Sequence, residues 1–139
     1  MQNLILSDSS RSIAGVVLLT IVTIEFGGWF LTRIVRGAVE MTEFQKAFAR
    51  AGHGHAGMLV TLGLVNLLLA DAAGLDGVTG SIARLGVPAA AILMSAGFFF
   101  SSTGRGEVVR PNRLIVLVWI GALCLAAGVV TTGIGLLSA

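Results

Sequence analysis

The stretch LIVLVWIGALCLAAGVVTTGIGLL, from Leu114 to Leu137, runs for 24 residues without one charged side chain. Crossing the hydrocarbon core of a bilayer takes about 20 consecutive apolar residues, so this stretch reads as a membrane span. Three further runs meet the same requirement: Ser12 to Thr32, Ala56 to Leu75 and Leu85 to Ser102. Little of the 139-residue chain remains, and its connections are too short to hold a soluble catalytic domain. The expectation is an all-α integral membrane protein, a four-span antiparallel transmembrane helix bundle. It forms one domain over 1–139, with spans at 12–35, 54–75, 82–102 and 112–137.

Composition agrees. Only 12% of the residues are charged, where soluble domains carry roughly a quarter, and mean hydropathy is +0.95. The 19 glycines would mark loops in water, but in lipid small residues let helix backbones approach closely. Gly86-x-x-x-Ala90, Ala122-x-x-x-Ala126 and the series Gly128, Gly133, Gly135 fit that use, although such spacing also arises by chance in so glycine-rich a chain. The single Cys124 lies inside the fourth run and reads as a packing residue. Glu25 interrupts the first run, which is too long for a signal-peptide core, so a cleaved leader is not expected. The pI near 9.5 reflects loop arginines, and no nucleic-acid partner is expected.

Lys and Arg concentrate on the cytoplasmic side of membrane proteins. Arg33, Arg36, Lys46 and Arg50 follow the first span, and Arg105, Arg110 and Arg113 follow the third, against Arg11 and Arg84 on the other side. Seven against two places both termini outside, in what reads as a multi-pass protein of the bacterial inner membrane. Thr42-Glu43-Phe44-Gln45 has a capping-box pattern, and Phe44, Ala47, Phe48 and Ala51 recur at helical spacing. A short amphipathic helix over 42–52 on the inner membrane surface is expected, either kinking into the second span or continuous with it, with a plain extension of that span as the alternative. Pro88 is expected to kink the third span or mark its first turn. At the outer end an Asp71–Arg84 ion pair would be structural, a solvated decoration rather than a site.

Both histidines fall in Gly52-His53-Gly54-His55, at the mouth of the second span. Ionisable groups inside a membrane are costly and mark function by default, and Glu25 is the one acid well inside a span. It lies eight residues from Arg33, about 12 Å deep, and His55 lies five from Arg50, about 7.5 Å deep. Matched depth on consecutive spans predicts a Glu25–His55 contact. The two histidines are about 200° apart on a regular helix, which leaves three arrangements. An opened backbone at the glycines lets His53, His55 and Glu25 hold one transition metal. A regular helix sends the histidines to opposite faces, each able to ligate a different group. Without a cofactor, Glu25 and His55 form a buried pair that titrates near neutral pH. Asn66 lies on the His55 side of its helix, and Thr32 lies near the Glu25 side of the first span, so a polar track is conceivable. Threonines bonding their own helix carbonyls is the commoner outcome. Met58 and Met94 can serve as soft ligands or as packing.

The Gly-His-x-His element resembles that of small four-helix bacterial membrane proteins distantly similar to the catalytic subunits of haem-copper oxidases. There a His-x-His on one helix ligates two haems on opposite faces. The resemblance covers about eight residues and implies a ligand role for His53 and His55 alone. The chain has no further histidine, so it cannot by itself supply a bis-histidine haem or a three-histidine copper site. Over its whole length it also resembles small four-helix membrane proteins of high-G+C bacteria, which imply no activity. Three functions follow as expectations, with an enzymatic role left open but less expected than a non-enzymatic one: binding of a transition metal or haem near the cytoplasmic face, proton or ion conduction through Glu25 and the histidines, or a structural role in a larger complex. The expected partners are the lipid bilayer and either further copies of the chain or other membrane subunits.

Overall fold

The computed structural model describes residues 6–104 and 107–139. Arg105, one of the basic residues that oriented the third connection, lies outside them. The described residues form four helices: α1 over Asp8–Val35, α2 over Glu43–Ala72, α3 over Gly77–Ser101 and α4 over Val116–Ser138, the last entered through a 3-10 turn at Arg113–Ile115. All four are long and apolar enough to cross a membrane, and no strand occurs among the described residues. The chain is therefore a multi-pass helix bundle of the membrane-spanning class.

Helix ends follow local chemistry. Ser7 opens α1 four residues earlier than the apolar run suggests, because its hydroxyl accepts from the Ser10 amide at 3.2 Å. After α1 and α2 the chain closes through left-handed glycines, Gly37 (φ 73°) and Gly74 (φ 63°). In both ends a backward amide bond caps a free carbonyl, from Ala38 to Arg33 and from Leu75 to Ala70. Pro88 stands well inside α3, not in its first turn, and its ring lies over Gly63 of α2.

The segment 42–52 is continuous with the second span, one of the two forms expected for it. Thr42 and Gln45 form the capping box, but α2 then runs unbroken from Glu43 to Ala72. Its first turns dock on the end of α3 instead of lying free on a surface. Gln45 donates to the Ser102 carbonyl at 3.1 Å, Thr42 donates to the Val108 carbonyl at 2.6 Å, and Phe48 meets Phe98 edge-on. Gly52 makes this possible, since a Cβ there would come within 3.0 Å of the Phe99 ring. These contacts tie the two basic connections together at one end of the bundle.

Packing divides the helices unequally. Leu59 and Leu67 of α2 and Val87 and Ala90 of α3 are fully enclosed or nearly so, whereas α1 buries only Ser10, Val17 and Ile34. The outward side chains are large and apolar, including Leu19, Val22 and Phe26 on α1 and Trp119 and Leu123 on α4. Such an exterior suits lipid. The α3–α4 seam is built on glycine. A Cβ on Gly86 would lie 2.7 Å from the Cys124 carbonyl oxygen and from Gly128 Cα, while Gly97 and Gly121 receive Val118 and Met94. Of the small-residue pairs read from the sequence, Gly86, Ala90 and Gly128 lie in this seam. Ala126 is exposed and Gly133 meets open space. Gly121 and Gly97 carry the seam in their place.

Candidate functional site

α2 is a regular helix through Gly52, Gly54 and Gly57, so the histidines point to opposite sides. His53 is half-buried against α1, over the notch of Gly27 and Gly28. A Cβ at Gly27 would stand 3.3 Å from His53 Nδ1, and one at Gly28 would stand 3.4 Å from Cε1. His55 faces α3: its ring lies 4.8 Å from that of Phe98, and Nδ1 is 2.8 Å from the Ala51 carbonyl oxygen. A proton on Nδ1 makes that contact a hydrogen bond and leaves Nε2 as acceptor.

Glu25 joins neither ring. It is exposed on α1, and no hydrogen bond or ion pair links it to another described residue. The expected Glu25–His55 contact is absent from the geometry. The reason is rotational: α1 turns Gly27 and Gly28 toward α2 to admit the His53 ring, which carries Glu25 onto an outer flank. No group of three His, Cys, Asp or Glu side chains able to hold one metal ion occurs among the described residues. The remaining candidates are occupied structurally. Asn66 donates to the Ala83 carbonyl at 2.7 Å and is buried, fastening α2 to α3. Thr32, Thr20 and Thr23 donate to the carbonyls of Trp29, Val17 and Thr20, so no continuous polar track forms. Met94 packs in the core, and Met58 is exposed.

The densest polar cluster is at the other end of the bundle. Arg84 Nη2 lies 2.7 Å from Asp71 Oδ1 and donates to the Leu75 carbonyl at 2.7 Å, while Nε lies 3.0 Å from both Asp71 Oδ1 and Ser10 Oγ. Asp71 also accepts from the Ser7 amide, the Ser7 hydroxyl and the Ser10 hydroxyl at 2.9–3.1 Å. Both charged side chains are nine-tenths enclosed, 12% and 8% exposed. The pair seen in the sequence is therefore a buried clamp across α1, α2 and α3, not a solvated decoration. Ser7 and Ser10 were missed because their spacing from the pair exceeds 60 residues; Gly80, which leaves room for Arg84, was a readable sign. Gly80→Ala is expected to displace the guanidinium, since its Cβ would also meet the Leu75 carbonyl oxygen at 2.7 Å. Thermal unfolding in detergent should show a loss approaching that of removing Arg84.

Fold and site together define a class, a small multi-pass membrane bundle held by a charged clamp. Compared with family models, curated proteins and solved structures, the chain has no match.

Proposed function

We propose that the chain is a non-catalytic membrane subunit that works as a self-associating bundle, pairing through the outer flank of α1. One observation carries this reading: Glu25 is an acid about 12 Å inside the span, exposed, with no partner among the described residues. A charged carboxylate near the middle of a bilayer costs about 3 kcal/mol on insertion scales. A neutral carboxyl still needs a donor and an acceptor. Leu18, Glu25 and Thr32 recur at seven-residue spacing, and Ile21 and Trp29 fill the same exposed stripe. A heptad stripe of this kind drifts only about 20° per repeat on a straight helix, so it can face a second α1 over several turns. A two-fold pairing, the commonest oligomer symmetry, sets one Glu25 carboxyl against its copy, where each donates to the other.

A one-chain metal or haem site made of His53, His55 and Glu25 is not favoured, because the three occupy different sides. In the proposed orientation both termini face outside the inner membrane of a bacterial cell. Cysteines placed at Arg36 and Arg110 in a Cys124→Ala background should then resist an impermeant thiol reagent in intact cells. Efficient labelling at both would reverse the topology.

The test of pairing is energy transfer between labelled chains in liposomes, measured over a range of protein-to-lipid ratios. An interhelical polar contact in lipid is worth about 0.6–2 kcal/mol. Glu25→Leu should therefore weaken association about 3- to 30-fold, and Glu25→Gln, which keeps a donor and an acceptor, should retain most of it. A monomer at every ratio, or association indifferent to Glu25→Leu, overturns the proposal.

A further inference from the structure

His53 is a half-buried imidazole with both nitrogens unused. Neither is hydrogen-bonded to a described residue, and neither is shut in, since the Ser95 hydroxyl is the one enclosed side-chain polar atom without a partner among the described residues. Cε1 lies over the notch in α1, 3.4 Å from where a Cβ on Gly28 would stand, and Nδ1 is 3.3 Å from one on Gly27. The two nitrogens of an imidazole sit on either side of Cε1. Nδ1 therefore faces the Gly27 side of α1 and Nε2 the Gly28 side, 3.6 Å from that same Cβ position. Around α1, Gly28 is about 60° from Glu25, whereas Gly27 is about 160° from it. Nε2 is thus turned toward the flank that carries Glu25.

Cβ positions three residues apart on a helix are about 5–6 Å from each other, which puts Nε2 no more than about 9 Å from Glu25 Cβ. A glutamate arm and two metal–ligand bonds of about 2.1 Å each bridge such a gap, so one ion can touch both side chains. A single chain offers these two ligands and no more. His55 lies against Phe98 on the other side of α2, and no third His, Cys, Asp or Glu completes a metal-holding group among the described residues. Closed zinc sites take four ligands. The α1 pairing proposed above supplies the other two, because it sets Glu25 against its copy across the two-fold axis. The same pairing calls for a cation: two ionised carboxylates held together in a low-dielectric zone repel, and one divalent ion cancels both charges.

We propose that two copies of the chain together bind one divalent ion of the zinc class, held by His53 Nε2 and the Glu25 carboxylate of each copy. The site rests on the α1 pairing, and the ion is what tightens that pairing. Two imidazoles and two carboxylates suit zinc, whereas magnesium and calcium take six or more oxygens and find too few here. His53 is three residues, about 4.5 Å, inside Arg50, so the ion enters from the end of the bundle that carries the basic connections. Without metal the neutral carboxyls bond to each other. Zinc and protons then compete for the same two Glu25 side chains, and binding releases protons.

The test uses the full chain, stripped of metal and reconstituted in liposomes, with zinc chloride as the probe and magnesium chloride as the control. Energy transfer between labelled chains in the presence of a chelator measures pairing by itself. Zinc should tighten association about 5- to 150-fold, the usual strength of coupling between two binding events, and magnesium should not. Elemental analysis after removal of free metal should find one zinc per two chains, and Co²⁺ in its place should show the strong visible bands of a four-coordinate site. His53→Gln and Glu25→Gln should each lose the zinc response and the cobalt bands, while His55→Gln keeps both. Circular dichroism of each variant separates a lost site from a lost fold. Association in chelator that zinc leaves unchanged, or zinc retained equally by His53→Gln, overturns the metal site and leaves the pairing standing. Loss of zinc in His55→Gln as complete as in His53→Gln places the ion on one chain's histidines and overturns the shared site too. A chain that associates neither in chelator nor in zinc overturns the pairing and the site together.

Discussion

Arg84→Ala should destabilise the bundle by about 3–5 kcal/mol, the range for removing one partner of a buried ion pair. The loss exceeds that of an exposed pair, about 0–1 kcal/mol, because the side chains are only 12% and 8% exposed. Once the guanidinium is gone, Asp71 keeps the two serines as donors but has no counter-charge, and the Leu75 carbonyl loses its donor. The break also separates helices, since the clamp joins the start of α1 to the end of α2 and the early turns of α3. Removing both charges as Asp71→Leu with Arg84→Met should recover much of the loss, leaving the serine donors and the Leu75 carbonyl unpaired. Reversible unfolding in mixed detergent micelles measures all three proteins. A neutral Arg84→Ala, or a deficit that disappears in high salt, would show that the pair is solvated after all. A buried pair is screened little, so the deficit should persist in salt.

How much of this was legible in the sequence follows from what spacing encodes. Runs such as Leu114 to Leu137 report length and hydrocarbon compatibility directly, so the four helices could be read from composition. Capping was equally local, and the Thr42–Gln45 box is present as read. The same local signal could not say what the first turns of α2 would lie against. Phe44 and Phe48 look alike whether they face a headgroup layer or Phe98, and the difference rests on Gly52 admitting the phenylalanines of α3. The candidate site fell between these cases. Depth was readable from arginine anchors, but depth matches residues along a helix axis and says nothing about rotation. Rotation of α1 against α2 is set by where backbones can come close, and Gly27 and Gly28 are where His53 enters. That glycine pair, opposite a histidine at similar depth, was the signal available for predicting that Glu25 would point outward.

The second large effect is expected at the α3–α4 seam, and its value lies in being graded. Gly86→Ala places a methyl 2.7 Å from a backbone carbonyl and from Gly128 Cα, neither of which can swing aside as a flexible side chain does. The helices must separate, and overpacking of this kind costs about 1–3 kcal/mol. Separation also weakens the contacts of Gly97 with Val118 and of Gly121 with Met94 along the same seam, so the cost should fall in the upper part of that range. Gly128→Ala meets Gly86 Cα at 3.1 Å, a tighter approach than a Cβ tolerates without adjustment but a milder one, and should cost less. Gly133→Ala meets nothing within 4 Å. Alanine is the better helix former by about 1 kcal/mol in water, so this third change should be neutral or slightly stabilising. Unfolding free energies of the three variants should therefore rank Gly86→Ala lowest, Gly128→Ala next and Gly133→Ala highest. Lipid offers no hydrophobic force to hold helices together, so close backbone contact supplies much of the attraction. Equal stability of all three variants would mean that α4 does not touch α3 through these glycines, and the helix arrangement itself would have to be redrawn.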